Sequence, residues 1–450
     1  MDFLTAKIRP LYFKYLGAAF GSALITSIYG VVDMAMVGQY QGPDGTAALA
    51  IVSPVWNIIY SLGLLMGIGG SVLFGTIRGE TEGDTRRSNE FFTAAFIGTS
   101  LLSLIAWLAI IFFDRELLLL FGADETLLPL ARAYVLPIKC MVPSFLFTQF
   151  LAAFLRNDGN PGLATKAVMF GGIFNVFGDY FFVFVTDWGI FGAGLATVLG
   201  SFFSLLIMCT HFLRRKNTLR LVRPTGLLRK LQSICVTGFS TFFIDVAMGI
   251  LTVLFNRQIL RYLGADALSI YGIIINISTF VQCCAYSIGQ ASQPILSVNY
   301  GAQRAGRIRE LLRYAIATAV VFGLLWTGAA LAVPNVFIRI FMTPTESILQ
   351  MAPAIIRSYG ISFLLLPLNV FSTYYFQAIL RPATSFVVSV ARGAVISGAL
   401  ILLLPAIAPA STIWFAMPIT ELLVAVYVVA MMLRYTRRLP AEGDRQIAGG

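Results

Sequence analysis

The chain has 450 residues, 58% of them hydrophobic and only 12% charged, with a mean hydropathy of +0.82, a balance that excludes a water-soluble globular domain. A formal charge of +11 would suit nucleic acid, but the basic residues recur in short segments between long apolar runs rather than in one patch. No nucleic-acid partner is expected.

Crossing about 30 Å of hydrocarbon takes about 20 helical residues. Twelve such runs are read in chain order, at about 13–37, 46–74, 91–113, 128–154, 163–186, 189–212, 231–256, 266–297, 312–334, 349–379, 384–407 and 410–433. The fold expected is an all-α integral membrane protein of twelve transmembrane helices. The first run is too long for a signal-peptide core and has no small-residue cleavage site behind it, so it is expected in the mature protein. With a cytoplasmic N-terminus and alternating spans, most of the 32 Lys and Arg fall on the cytoplasmic side. They include Lys7, Arg9 and Lys14, then Arg78, Arg86 and Arg87, the run RRKNTLRLVRPTGLLRK over 214–230, and Arg434, Arg437, Arg438 and Arg445. That is the positive-inside bias, and it puts both termini on the cytoplasmic face of a cytoplasmic (inner) membrane. The 214–230 run reads as a topogenic linker, with anionic-lipid binding as the alternative.

The chain repeats itself. YVLPIKCMVPSFLFTQFLAAFLR from Tyr134 matches YGISFLLLPLNVFSTYYFQAILR from Tyr359 at a shift of 225, and Ala48, Leu49 and Asn57 stand opposite Ala267, Leu268 and Asn276. Each repeat carries an even number of spans, so both halves enter the membrane in the same sense, a plan that places a transport cavity between them. The domains read are 1–213, an N-terminal six-helix lobe; 214–230, a basic cytoplasmic linker; and 231–450, a C-terminal six-helix lobe with a short tail.

Chemistry is constrained by what is scarce. His211 is the single histidine, and the five cysteines lack metal-ligand spacing, so neither a metal-centred nor a Ser-His-Asp membrane enzyme is easily built. No Gly-Lys dipeptide occurs, hence no P-loop. No enzyme activity and no organic cofactor are expected, and work would be drawn from an ion gradient. Against this background Asp179, inside GGIFNVFGDYFFVFVTDWG, is conspicuous. The repeat places Leu404 opposite Asp179, Leu400 opposite Asn175 and Asn256 opposite Asp33, so the acidic cluster belongs to the first half alone. At the helical rise, Asp33, Asp179, Thr197 and Asn175 lie about 9, 10, 13 and 16 Å below the outer surface, in one layer. Asn175 and Asp179, four apart, share a helix face. The set offers hard oxygens suited to Na+, or two carboxylates that share a proton. The bland alternative is that each Asp bonds a neighbouring helix or faces outer water.

The segments YGVVDMAMVGQ, FLRNDGNP, GGIFNVFGDYFFVF, GIFGAGLATVLG and YGIIINISTFVQCCAYSIGQASQPILSVNYGAQ resemble, in order and spacing, those of bacterial multidrug and toxic compound extrusion (MATE) transporters, over nearly the whole chain. The resemblance implies two six-helix lobes in a V and cation-coupled export of organic cations and other drugs. It also implies that Asp33, Asn175, Asp179 and Thr197 form the cation or proton site of the first lobe. A flippase for lipid-linked oligosaccharides, from the same superfamily, is the alternative function; its pyrophosphate cargo would call for more intramembrane Lys and Arg than Lys139, Arg257 and Arg392. A non-transporting enzyme or receptor is the third class. Small-molecule drugs and membrane lipids are the partners expected, and a monomer the state.

Other charges are weighed beside that cluster. Asp245 occupies a seventh-span position where similar transporters often carry an acid, and is read as a second proton or substrate site. Glu421 and Arg392 lie at comparable depth on adjacent spans and read most simply as a structural ion pair, with Glu421 as a second acidic candidate. Lys139, about 16 Å deep, is read as an internal counter-ion that faces the acidic cluster and stands in for a cation. Gly17/Gly21 and Gly63/Gly67, each pair four apart, read as close helix contacts. Tyr29 and Phe147 are candidate aromatic faces for a cationic drug.

Overall fold

The computed structural model describes residues 3–81, 85–341 and 345–439, and among them every regular element is helical. In chain order these are α1 (Ile8–Gly42), α2 (Asp44–Glu80) and α3 (Thr85–Leu120), then α4 (Leu127–Lys139) and α5 (Val142–Asn157). They continue as α6 (Pro161–Val185), α7 (Gly189–Leu213) and α8 (Leu227–Tyr262), then α9 (Ala265–Gly301), α10 (Ala305–Ala332) and α11 (Pro334–Phe341). The last are α12 (Glu346–Ala378), α13 (Pro382–Ile407) and α14 (Ala410–Arg437). The expected tail that includes Arg445 falls outside the described residues.

Among the described residues, eleven helices are long and apolar enough to cross a membrane, and α4 with α5 makes a twelfth if the pair is one span bent by 61°. The expected uninterrupted run at 128–154 is therefore two helices. Two prolines flank the break, Pro137 inside α4 and Pro143 in the first turn of α5, and each removes a backbone donor from the ladder. The indole N–H of Trp107 in α3 donates to the Lys139 carbonyl at the break, which satisfies an acceptor that hydrocarbon cannot. Gly63 and Gly67 of α2 do mark a close contact: a Cβ on Gly63 would stand 2.8 Å from the Leu146 carbonyl oxygen of α5. Gly17 meets nothing within 4 Å, whereas a Cβ on Gly21 would stand 3.4 Å from Thr165 Cγ2 of α6, so only Gly21 of that pair faces another helix.

The chain packs as two compact units. One is Gly17–Val246; the other begins at Ala247 and takes in Leu4–Leu16. Packing thus changes allegiance within α1 and within α8, whereas the repeat divides the chain around 214–230. That basic stretch is tied to the first unit as an extended strap. Asn89 of α3 accepts from the Arg220 N–H at 3.0 Å and donates to the Thr218 carbonyl at 2.9 Å. The Thr93 hydroxyl accepts from Val222 N–H at 2.9 Å, and Glu90 accepts from Thr225 N–H at 3.2 Å. Polar side chains within the first turns of α3 thereby replace the backbone partners that a strand would find in a sheet.

Asp158, in the turn between α5 and α6, anchors the start of this strap. Its carboxylate bonds Arg78 Nη1 at 2.9 Å, His211 Nε2 at 2.7 Å and the Thr218 N–H at 3.1 Å. Burial alone would raise its pKa, but the bonds from His211, Thr218 and Arg78 outweigh burial and hold it below the usual carboxylate range. A depressed native pKa stabilises the fold above the unfolded value, near 4, and that stability is lost as pH falls through the lower native value. Purified Asp158→Asn is therefore expected to melt below wild type at pH 7 by the equivalent of about 2 kcal/mol, with the gap closing below about pH 4. A gap in melting temperature that persists unchanged at pH 3 would refute the assignment.

Candidate functional site

Small residues on α7 decide what can meet. A Cβ on Gly171 of α6 would stand 2.4 Å from the Gly200 carbonyl oxygen of α7, so the two helices cross backbone to backbone. On a different face of α7, a Cβ on Gly194 would lie 2.3 Å from the Tyr134 carbonyl oxygen of α4. Thr197 lies midway along α7 between these two crossings, and Asn175 stands one turn beyond Gly171 on α6. The crossings therefore bring α4 and α6 together around Thr197.

A connected polar network results. Asn175 Nδ2 donates to Thr197 Oγ1 at 3.2 Å and approaches Asp179 Oδ1 at 3.4 Å. The Tyr134 hydroxyl donates to Asp33 Oδ2 of α1 at 2.8 Å and lies 3.5 Å from Thr197 Oγ1. All four residues expected from the sequence meet here, and the two carboxylates lie in each other's field. Asp179 is fully buried, Asn175 is 2% exposed and Asp33 8%. Three acceptor oxygens, Asp33 Oδ1, Asn175 Oδ1 and Asp179 Oδ2, have no hydrogen-bond partner among the described residues. Amide, hydroxyl and carboxylate oxygens of this kind are what a hard monovalent cation coordinates, and one shared proton would equally relieve the two acids. Asp179 is also the last α-helical residue before a π-helical turn, Tyr180–Val185, a distortion often found at functional positions.

Tyr134 went unrecognised as a site residue in the sequence. Its signal was there: it heads the repeat match whose partner is Tyr359, and Tyr359 also lies close to a buried acid, Glu421.

The remaining candidates divide. Lys139 does not stand beside the acidic cluster; its ammonium pairs with Asp114 of α3 at 2.8 Å. A lysine stem several ångströms long can reach back along α4 to that carboxylate, and pairing near the membrane edge replaces solvation deep inside. Asp245 of α8 is half-buried and its Oδ2 lies 3.4 Å from Ser61 Oγ of α2. In the second unit, Glu421 Oε1 accepts from Arg392 Nε at 2.7 Å and Oε2 from Asn369 Nδ2 at 2.6 Å, all buried. Arg392 sits in another π-helical turn, Ala391–Val395. Tyr29 packs over Gly172, one turn before Asp33 on α1, whereas Phe147 is engaged with Phe96 and Phe150 in an aromatic cluster.

Comparison with known proteins agrees with this architecture. The MatE family model matches residues 18–181 and 241–403. The multidrug export protein MepA of Staphylococcus saprophyticus is 24% identical over 378 residues, 83% of this chain and 82% of that protein. MepA of Staphylococcus aureus is 22% identical over 430 residues, 95% and 94% of the two chains. Among solved structures, an outward-facing multidrug resistance MATE family transporter of the MOP superfamily superposes with a TM-score of 0.89 at 17% identity, over 97% of this chain and 98% of that one. The structure of the MATE multidrug transporter DinF-BH gives 0.86 at 24% identity over 94% and 95%.

The Tyr134 hydroxyl donates to a buried carboxylate, a bond worth about 1.5–3 kcal/mol. Tyr134→Phe is expected to lower the melting temperature of the purified protein by that equivalent. A double cycle with Asp33→Asn tests the pairing, because the Tyr134→Phe cost should shrink when Asp33 is already neutral. Equal costs in both backgrounds would show that the two side chains are not coupled.

Proposed function

The chain belongs to the MatE family of membrane transporters, and from that premise we propose that it is a multidrug exporter which exchanges organic, often cationic, compounds for Na+ or H+ at the Asp33, Asn175, Asp179 and Thr197 site. The observation that carries the reading is the pair of buried carboxylates with three acceptor oxygens left unpartnered among the described residues. Two such groups in hydrocarbon are costly when both are ionised, and a bound cation or a shared proton removes that cost. No basic side chain among the described residues pairs with either acid, since Lys139 is held by Asp114 and Arg392 by Glu421. Two of the three intramembrane cations weighed for a pyrophosphate cargo, Lys139 and Arg392, are already paired with carboxylates, which argues against the flippase alternative.

Antiport follows if cation occupancy and drug occupancy favour different conformations, because a ligand shifts a two-state transporter only through its differential affinity for the states. Asp33 and Asp179 hold the cation or proton, Asn175 and Thr197 supply neutral oxygens, and Tyr134 positions Asp33. Asp245 is a second acidic site for proton or substrate. Glu421 is neutralised by Arg392 and accepts a hydrogen bond from Asn369, and its part is structural. The repeat halves, 1–213 and 231–450, form the two moving lobes, with the 214–230 strap and both termini on the cytoplasmic side of a cytoplasmic membrane.

In everted vesicles with imposed gradients, Asp33→Asn and Asp179→Asn should each cut gradient-driven export at least tenfold while drug binding falls only several-fold. Asn175→Ala and Thr197→Ala should do less, since each removes a neutral ligand. Separate Na+ and proton gradients on wild type identify the coupling ion. Wild-type export by both Asp variants would place coupling elsewhere, with Asp245→Asn the next variant to test.

The orientation has its own test. A reporter active only in the cytoplasm should be active when fused after Arg220 and silent after Asp124; the reverse pattern would overturn the topology.

A further inference from the structure

A cavity of about 410 Å³ opens between α3 and α4, lined by Asp114 from α3 and by Leu128, Pro129, Arg132, Ala133, Leu136 and Lys139 from α4. The α4 residues recur at three- and four-residue spacing, so the cavity takes one face of the helix. Tyr134, two residues from Arg132 and therefore about 200° around the helix, lies on the opposite side, against Asp33. The charges in the cavity do not balance. A single oxygen, Asp114 Oδ2, accepts from both Arg132 Nε and Lys139 Nζ at 2.8 Å. Two cations thus share one carboxylate, which is nearly buried, while the Arg132 side chain is 49% exposed and that of Lys139 18%. The excess positive charge and the half-exposed guanidinium are on offer to an anion.

The surroundings say which anion. Leu104, Leu108 and Ile111 are exposed on α3 at i, i+4 and i+7, a stripe that leads to Asp114 three residues further on. From Leu104 to Asp114 this track runs about 15 Å along the helix, comparable to an acyl chain. Leu136, beside the cavity on α4, is likewise exposed. Asp114 also lies 24 residues, about 36 Å, along α3 from Glu90, which is bonded to the basic strap. That separation is close to a membrane thickness, so the cavity belongs to the interfacial layer opposite the strap. A charged head beside an apolar track at interfacial depth fits a phospholipid whose headgroup bears net negative charge.

We propose that this cavity binds the phosphodiester of an anionic phospholipid in the leaflet opposite the 214–230 strap, with Arg132 and Lys139 bridging Asp114 and the phosphate and one acyl chain along Leu104, Leu108 and Ile111. The lipid then loads the outer face of the helix whose inner face presents Tyr134 to Asp33.

Native mass spectrometry of the full chain, titrated with phosphatidylglycerol, tests this, with phosphatidylcholine as the zwitterionic arm and inorganic phosphate as a competitor. Wild type should bind its first phosphatidylglycerol more tightly than phosphatidylcholine. Arg132→Gln should weaken that binding about fivefold, the usual worth of one interfacial cation. Asp114→Asn, which removes the competing anion, should strengthen it, an effect of opposite sign that a merely structural ion triad does not produce. Equal affinity for the two lipids, no loss in Arg132→Gln, or no gain in Asp114→Asn would each overturn the proposal. Displacement of the lipid by millimolar inorganic phosphate would assign the cavity to a free anion instead.

Discussion

Everything at the candidate site turns on the cost of keeping two carboxylates away from water with no basic partner among the described residues. A lone ionised acid in hydrocarbon is expensive, and a second beside it adds repulsion to desolvation. Asp33 and Asp179 are buried, and among the described residues only the Tyr134 hydroxyl and the Asn175 amide bond them. Such a site is most stable when something positive enters it, which makes it responsive to an ion rather than inert. The rest of the first unit holds that unfavourable pair in place. Gly171, Gly194 and Gly200 let three helices approach to backbone contact, and dispersion contacts along those crossings bear the strain that the acids impose.

The second unit handles a buried acid differently. Glu421 is bonded on one oxygen by Arg392 and on the other by Asn369, so its charge is compensated internally. Tyr359, the repeat partner of Tyr134, lies close to that pair. The two halves thus keep a tyrosine beside an acid while differing in whether a cation is built into the protein. Breaking one member of a buried ion pair is strongly destabilising because the survivor is left unpaired, which suits Glu421 and Arg392 to a fixed structural part.

Charge outside the hydrocarbon follows other rules. Asp158 collects Arg78, His211 and the strap backbone at one carboxylate. Asn89, Glu90 and Thr93 serve as hydrogen-bonding stations for a chain segment that has no sheet to join. The single histidine, uninformative as a residue type, is an anchor of this corner. At the other end of α3, Asp114 is shared by two cations of α4, which ends at the break in the helical path that Trp107 bridges.

The sequence by itself determined the helical class and the apolar runs, eleven of which are single long helices among the described residues, and it grouped Asp33, Asn175, Asp179 and Thr197 by their depth along their helices. Apolar run length is fixed by bilayer thickness, and depth along a helix is fixed by its rise. Helix period likewise placed Asn175 and Asp179 on one face. What these rules do not contain is direction across the bundle. The meeting of Tyr134 with Asp33 depends on which faces of α4 and α7 cross, and that is decided by the absence of a Cβ at Gly194. The partner of Lys139 was misjudged for a related reason: depth measured at the Cα ignores a flexible stem that carries the ammonium to Asp114. The break that splits α4 from α5 was hidden inside one apolar run, since hydropathy sums over residues while a break depends on prolines at two particular places and on an indole from α3. Local rules set element, depth and face; only the packed structure selects partners, because partner choice depends on the shapes of helices distant in sequence.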